Sequence, residues 1–354
     1  MKISISLLIL VSFCIGGAAQ QPTQNVLIVT LDGMRWQEVF GGADSALIHD
    51  GKYTGDVKRL SEKFWANRAE DRRAMLFPFL WNTVKNKGRI YGNRSLGNNV
   101  NVANGFHMSY PGYSEIFTGY PDPRIRSNDK IPNPNETVLE FLGKQAGFTG
   151  KVAAFASWDV FPYILNKWRS GIFVNADIDT LPFSFPVFTL LNEMQFLTTK
   201  PIGVRPDLLT YFSAREYLKK FTPRVLFIGL DETDDYAHRG EYDHYLESAH
   251  EADAMLADLW QTVQGTPQYR NHTTLIITCD HGRGDRVREN WKNHESGIVE
   301  SGETWLAVIG PGIDARGEVR TPGQIFQEQI AATVASLLGL KFTASHPVAD
   351  AIRF

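Results

Sequence analysis

The stretch that most limits how this chain can fold is LIITCDHGRG, residues 275–284. Leu275, Ile276, Ile277, Thr278 and Cys279 form a run of apolar, β-branched and small residues with no polar alternation, as in a short strand buried on both faces. The run leads straight into Asp280, His281 and Gly282. An acid and an imidazole side by side at the end of a buried strand suit a metal ion better than they suit a core. Gly282 is expected to let the chain turn sharply where the strand stops. Similar chemistry recurs elsewhere: Asp32 ends the apolar run NVLIVTLDG, Asp234 and His238 follow Val225–Leu230 in LDETDDYAHRG, and His294 stands in KNHESG. Three acids at strand ends and three histidines can together hold two divalent cations, and the mixed oxygen and nitrogen donor set suits zinc.

The rest of the chain reads as alternating elements. Asn25–Leu31, Lys151–Ala156, Arg224–Leu230, Thr273–Thr278 and Thr304–Ile309 are strand-like. Thr137–Gln145, Leu208–Phe221 and Tyr245–Val263 are helical, the last with Tyr245, Ala249, Ala252, Met255, Leu259 and Val263 three or four apart. Met75–Val84 has helical spacing, and Ile325–Leu338 is expected as a final helix stopped by Gly339. Gly41–Arg72 is polar and irregular and is expected as a surface excursion. Trp158–Arg205, rich in aromatics and prolines, reads equally as a packed loop region or as a wall that touches substrate. Strands alternating with helices predict an α/β fold, a mostly parallel central sheet with helices on both faces. In such sheets ligands collect beyond the carboxyl ends of the strands, so Asp32, Asp234 and Asp280 can meet in one crevice.

Composition narrows the function. The formal net charge of −3 offers no basic field for nucleic acid. Met1–Gln20 has Lys2, an apolar stretch Ile3–Ile15 and small residues Gly16–Ala19, the layout of a secretory leader cleaved near Ala19. Bulky Phe13 argues against lipid attachment at Cys14, and no later stretch is long and apolar enough to span a bilayer. Residues 20–354 are expected as one exported domain, periplasmic or secreted. Cys279 alone would remain after cleavage, which leaves no intrachain disulfide; it reads as a small core residue.

A metal-activated hydroxyl is a natural nucleophile for such a site. Ser109 precedes Tyr110-Pro111, and proline is typical of a first helical turn. A serine at a helix start lies beside free N–H groups, a natural anion site, though the same placement describes a simple N-cap.

These residues resemble the alkaline phosphatase superfamily, most closely its nucleotide pyrophosphatase/phosphodiesterase-like branch. The likeness runs from Asn25 to about Phe342 through VTLDG, SYPGYSEIFTGYP, LDETDDYAHRG, TCDHGRG, NHES, IGPGI and QIAATVASLLGL. It implies that Ser109, nine residues before Thr118-Gly119, is the nucleophile. It further implies that one cation is held by Asp234, His238 and His294 and the other by Asp32, Ser109, Asp280 and His281. An asparagine that binds the phosphoryl oxygen in that branch falls near Asn128. The implied activity is hydrolysis of small-molecule phosphate esters, mono- or diesters, through a phosphoseryl intermediate, with two divalent ions, most simply zinc. The chain departs from the branch at Gly112, often Asn, and at Ala237, usually Gly. Related sulfatases carry Arg four residues after the nucleophile, where this chain has Tyr113. A sulfatase-type or phosphomutase-type member, or a non-catalytic binding protein that keeps the fold, are the alternatives. Asp231 and Asp235 read as solvated, capping or histidine-orienting groups. His107, two residues before Ser109, is the one other histidine with a possible role.

Overall fold

In the computed structural model, residues 22–200 and 202–354 are described, and the leader expected over residues 1–19 lies outside the described residues. The strands, in chain order, are β1 (Asn25–Leu31), β2 (Gly88–Tyr91), β3 (Asn98–Asn101), β4 (Val152–Ala156), β5 (Phe173–Ala176), β6 (Val225–Leu230), β7 (Thr273–Thr278), β8 (Glu303–Thr304), β9 (Leu306–Ile309), β10 (Gly317–Glu318) and β11 (Gly323–Phe326). The main sheet has the order β10-β2-β9-β7-β1-β6-β4-β5, and a smaller one the order β11-β3-β8. In the main sheet only β9 runs against the rest, pairing antiparallel with both β2 and β7. The expected mostly parallel α/β sheet is what forms.

Side chains alternate across this sheet, because successive residues of a strand point to opposite faces. Leu27, Val29, Leu31, Leu226, Ile228, Leu230, Leu275 and Ile277 enter one apolar layer. Val26, Ile28, Val225, Phe227 and Ile276 enter the other. Both faces are covered, the first in part by the helix Tyr242–Gly265 and the second by Ser109–Thr118 and Gln329–Leu337. Uninterrupted apolar strands follow from that double burial. β1 is central, in parallel register with β6 from Val26↔Val225 to Leu31↔Leu230 and with β7 from Asn25↔Thr273 to Thr30↔Thr278. Its end therefore lies between theirs. No helix among the described residues is long and apolar enough to cross a membrane.

The structure corrects several local expectations. Ile325–Leu338 is not one helix: Gly323–Phe326 pairs with β3, and the helix starts at Gln329. The apolar residues had served two elements in succession, and their combined spacing imitated one. The expected strand Thr304–Ile309 is divided at Trp305 between the two sheets. Gly41–Arg72 is not a mere excursion. It holds helices Ser45–Ile48 and Val57–Phe64, capped by Asp44 and Asp56, which bury Leu47, Ile48, Leu60 and Phe64. Helices of four to eight residues are too short to show a period in sequence. In the aromatic stretch, Phe183 and Phe185 pack against Tyr217 and Phe221 of the helix Asp207–Phe221, so these rings serve the core.

Pro78 explains the break in the expected helix Met75–Val84. A residue before proline is pushed out of the α region, and the helix Ala69–Leu76 stops there. The chain turns helical again at Pro78 and widens into a π-helical turn over Leu80–Val84. The N–H groups of Phe79 and Leu80 donate instead to the buried carboxylate of Asp253, at 2.6 and 3.0 Å. Asp253→Ala is expected to leave both N–H groups unpaired and to lower unfolding stability by about 2–4 kcal/mol, measured by urea denaturation; an unchanged midpoint would contradict this.

Candidate metal centre

Asp32, at the end of β1, Asp234, just beyond β6, and Asp280, just beyond β7, converge because the three strands are neighbours in register. Asp234 and His238 lie one turn apart on the helix Glu232–Arg239 and so face one side, with His238 Nε2 3.2 Å from Asp234 Oδ2. That helix is aimed from outside: the buried Asp207 carboxylate accepts from the N–H groups of Asp231 and Glu232 at 2.9 and 3.1 Å. Ser157 Oγ in turn donates to Asp207.

His281 occupies the centre. Its Nε2 lies 3.5 Å from Asp32 Oδ1, 3.4 Å from Asp280 Oδ2 and 3.7 Å from Asp234 Oδ1. His294 enters from a distant loop, with its Nε2 3.0 Å from that of His238 and its ring stacked on His281. Two sets of ligand atoms each lie within 4.8 Å of one another: Asp32, Asp280 and His281, and Asp234, His281 and His294. The imidazoles of His281 and His294 are oriented through their other nitrogens. His281 Nδ1 donates to the Gly282 carbonyl at 2.9 Å, and His294 Nδ1 to the His107 carbonyl at 2.8 Å. Both Nε2 lone pairs are thereby left pointing inward. His107 takes part through its backbone, while its ring bonds Ser301 Oγ.

The electrostatics are those of a cation site. Burial, then the charges of Asp280, Asp234 and Asp231, pushes Asp32 well above the usual carboxylate range. Burial and Asp234 raise Asp280 to about 7. Burial lowers His281 to about 4, which keeps the imidazole neutral, the form that ligates. Burial lowers His294 also. Asp234 alone goes the other way: burial raises it, but Arg283 and His238 outweigh burial and hold it well below the usual range. Both oxygens of Asp32 and Oδ2 of Asp280 are buried without a hydrogen-bond partner. Buried carboxylate oxygens are costly when unpaired, and a divalent ion would satisfy them, so these residues fit the group.

Ser109 is the first residue of the helix Ser109–Thr118, and its Oγ lies 3.3 Å from His281 Nε2. Asn128, placed only loosely by sequence, accepts the Tyr110 N–H at 2.9 Å and so stands beside the start of that helix. Tyr113, one turn on, is fully buried among Phe161 and Phe227, and its hydroxyl accepts from Thr30. The site residues named from sequence are thus brought together.

Two features escaped the sequence reading. Gly282 has no left-handed backbone; a Cβ there would stand 2.1 Å from the Glu303 carbonyl, so glycine is required for close approach rather than for a turn. Arg283 is completely buried and wires the site together. It pairs with the Asp234 carboxylate and donates to the carbonyls of Gly33, Asp234 and Lys292 at 3.2, 3.1 and 2.7 Å. A lone arginine between glycines carries no periodic signal; its position three residues after Asp280 was the one available clue.

A family model described as Metalloenzyme superfamily matches residues 208–341, which include Asp234, His238, Asp280, His281 and His294. No curated protein matches the chain. Among solved structures, the chain is similar to wild-type alkaline phosphatase PafA, with 14% identity, 95% of this chain and 99% of that one covered, and a TM-score of 0.62. It is also similar to the lipoteichoic acid synthase LtaP from Listeria monocytogenes, at 14% identity, with 90% and 72% covered and a TM-score of 0.56. A 2-O GAG sulfatase gives 14% identity, 91% and 72% coverage and a TM-score of 0.55. At such identities the likeness establishes the fold, an alkaline-phosphatase-like α/β sheet.

The helix bearing Ser109 rests directly on the strand end bearing Asp280: a Cβ on Gly112 would lie 2.4 Å from the Asp280 carbonyl oxygen. Gly112→Ala is expected to force the two apart and cost about 1–3 kcal/mol. Thermal unfolding of the purified variant measures this, and an unaltered melting temperature would show that the helix yields freely.

Proposed function

We propose that this chain is an exported, metal-dependent hydrolase of small-molecule phosphate esters, a member of the alkaline phosphatase superfamily with its catalytic domain over residues 20–354. One observation carries the reading: the unpartnered, buried oxygens of Asp32 and Asp280 stand with His281 Nε2, and that same nitrogen lies 3.3 Å from Ser109 Oγ. A hydroxyl is thereby held against a group of cation ligands. The leader-like residues 1–19 support export.

Asp32, Asp280, His281 and Ser109 would hold one divalent ion, and Asp234, His238 and His294 the second. The mixed oxygen and nitrogen donors suit zinc. Bound there, the ions supply Lewis acidity that eases deprotonation of the serine hydroxyl and offsets charge on the phosphoryl oxygens. The chain's own groups do the rest. Ser109 attacks phosphorus in line and becomes phosphorylated as the ester oxygen departs with the bonding pair. Water would then attack the phosphoserine from the side that the ester oxygen has left, in line with and opposite to Ser109 Oγ, which departs with the bonding pair and regains a proton. Of the N–H groups in the first turn of the Ser109 helix, that of Tyr110 goes to Asn128 and that of Gly112 to the Met108 carbonyl, and Pro111 has none, so the helix would favour an anion through its dipole. The Asn128 oxygen is engaged by the Tyr110 N–H, and its amide nitrogen would be the group that donates to a phosphoryl oxygen. At the fourth position after Ser109, buried Tyr113 provides no cation, which favours phosphate over sulfate esters.

Purified protein is expected to hydrolyse p-nitrophenyl phosphate or bis-p-nitrophenyl phosphate faster than p-nitrophenyl sulfate. Ser109→Ala should lose about 10³-fold or more of kcat, and exhaustive chelation should abolish turnover until zinc is restored. Preferred hydrolysis of the sulfate, or full turnover by Ser109→Ala, would overturn the reading.

A further inference from the structure

The two poles of the metal centre differ in charge in a way that the ligand lists do not convey. At one pole stand two carboxylates, Asp32 and Asp280, with His281, all fully buried. At the other stands one carboxylate, Asp234, with His238 and His294, and that carboxylate is already paired with the Arg283 guanidinium. Counting formal charges, a divalent ion at the first pole meets two negative charges; at the second it meets one, offset by a fixed positive charge. Arginine does not lose its proton in a protein, so no rearrangement of protons relieves this. Nor can it swing away: it is held by the carbonyls of Gly33, Asp234 and Lys292 and has no exposed surface. Exposure differs as well. The His238 side chain is 41% exposed, whereas those of Asp32, Asp280 and His281 are at most 1% exposed. The second pole, though Asp234 and His294 are buried, reaches solvent through His238, and the first is closed.

We infer that Arg283 is a positioning residue that divides the centre into a tight, resident cation site at Asp32–Asp280–His281 and a weaker, exchangeable one at Asp234–His238–His294. This rests on the two-cation reading above. Arg283 holds Asp234 in place through hydrogen bonds while reducing its pull on a cation. Chain activity would then follow free divalent metal through occupancy of the second site, with the first remaining filled.

The test is zinc binding itself. Metal-free protein, prepared by chelation, is titrated with zinc by calorimetry and by competition with a chromophoric chelator, with bound ion counted by elemental analysis. Two ions per chain are expected in separate steps, their affinities at least about tenfold apart, the scale on which groups behind a ligand act. His238→Ala should remove the weaker step and Asp32→Asn the tighter one. Arg283→Lys should preserve the gap, and Arg283→Met, which removes the charge, should narrow it. Two equal steps, loss of the tighter step in His238→Ala, or an unchanged gap in folded Arg283→Met would overturn the inference. If Arg283→Met does not fold, the wild-type, His238→Ala and Asp32→Asn titrations decide alone. Binding of no zinc at all would instead bring down the two-cation reading, and this inference with it.

Discussion

Mutual repulsion among carboxylates in a dry crevice is the constraint around which this molecule is arranged. Asp32, Asp231, Asp234 and Asp280 raise or oppose one another's ionisation, and all are buried. Two like charges about 4 Å apart cost roughly 4 kcal/mol at an effective dielectric of 20. A chain could escape by letting the strand ends splay. Here it cannot, because β1 is hydrogen-bonded along nearly its whole length to β6 on one side and β7 on the other. The two apolar layers press that ladder from both faces. Sheet stiffness therefore stores a demand for positive charge. Arg283 answers it at Asp234, and the orphaned oxygens of Asp32 and Asp280 remain for cations to answer.

That constraint also explains what could be read from sequence. A strand buried on both faces must be apolar throughout, so NVLIVTL, VLFIGL and TLIIT announce themselves, and a polar residue at the end of each is conspicuous. The fold class and the meeting of Asp32, Asp234 and Asp280 follow from those runs and from the rule that parallel strands share a carboxyl edge. Asp234 and His238 were legible because four residues make one helical turn.

Other parts left no such trace. The short helices within Gly41–Arg72 carry too few residues for a period to emerge, although Asp44 and Asp56 hold the capping chemistry in plain view. Ile325 and Phe326 belong to a second sheet whose partner strand, Asn98–Asn101, is itself polar, so neither strand announced the other. Asp253 caps a proline-broken turn 174 residues away, a partnership fixed only in three dimensions. Arg283 was hidden for the same reason, since three of its four contacts, the Gly33 and Asp234 carbonyls and the Asp234 carboxylate, lie far away in sequence.

The long-range hydrogen bonds do more than fill valences, because they connect Ser109, His281 and His294 to one another. His294 is oriented by the carbonyl of His107, and two residues later comes Ser109, whose hydroxyl meets His281. His281 is stacked on His294. The circuit closes on itself: the loop that carries the hydroxyl also aims His294, and His294 abuts the imidazole beside the hydroxyl. A shift in this loop must move Ser109 and His294 together, so the spacing between them is kept under small distortions. Such coupling suits the proposed reaction, which depends on a fixed distance between the hydroxyl and the cations, and it needs no contact beyond those already present in the fold.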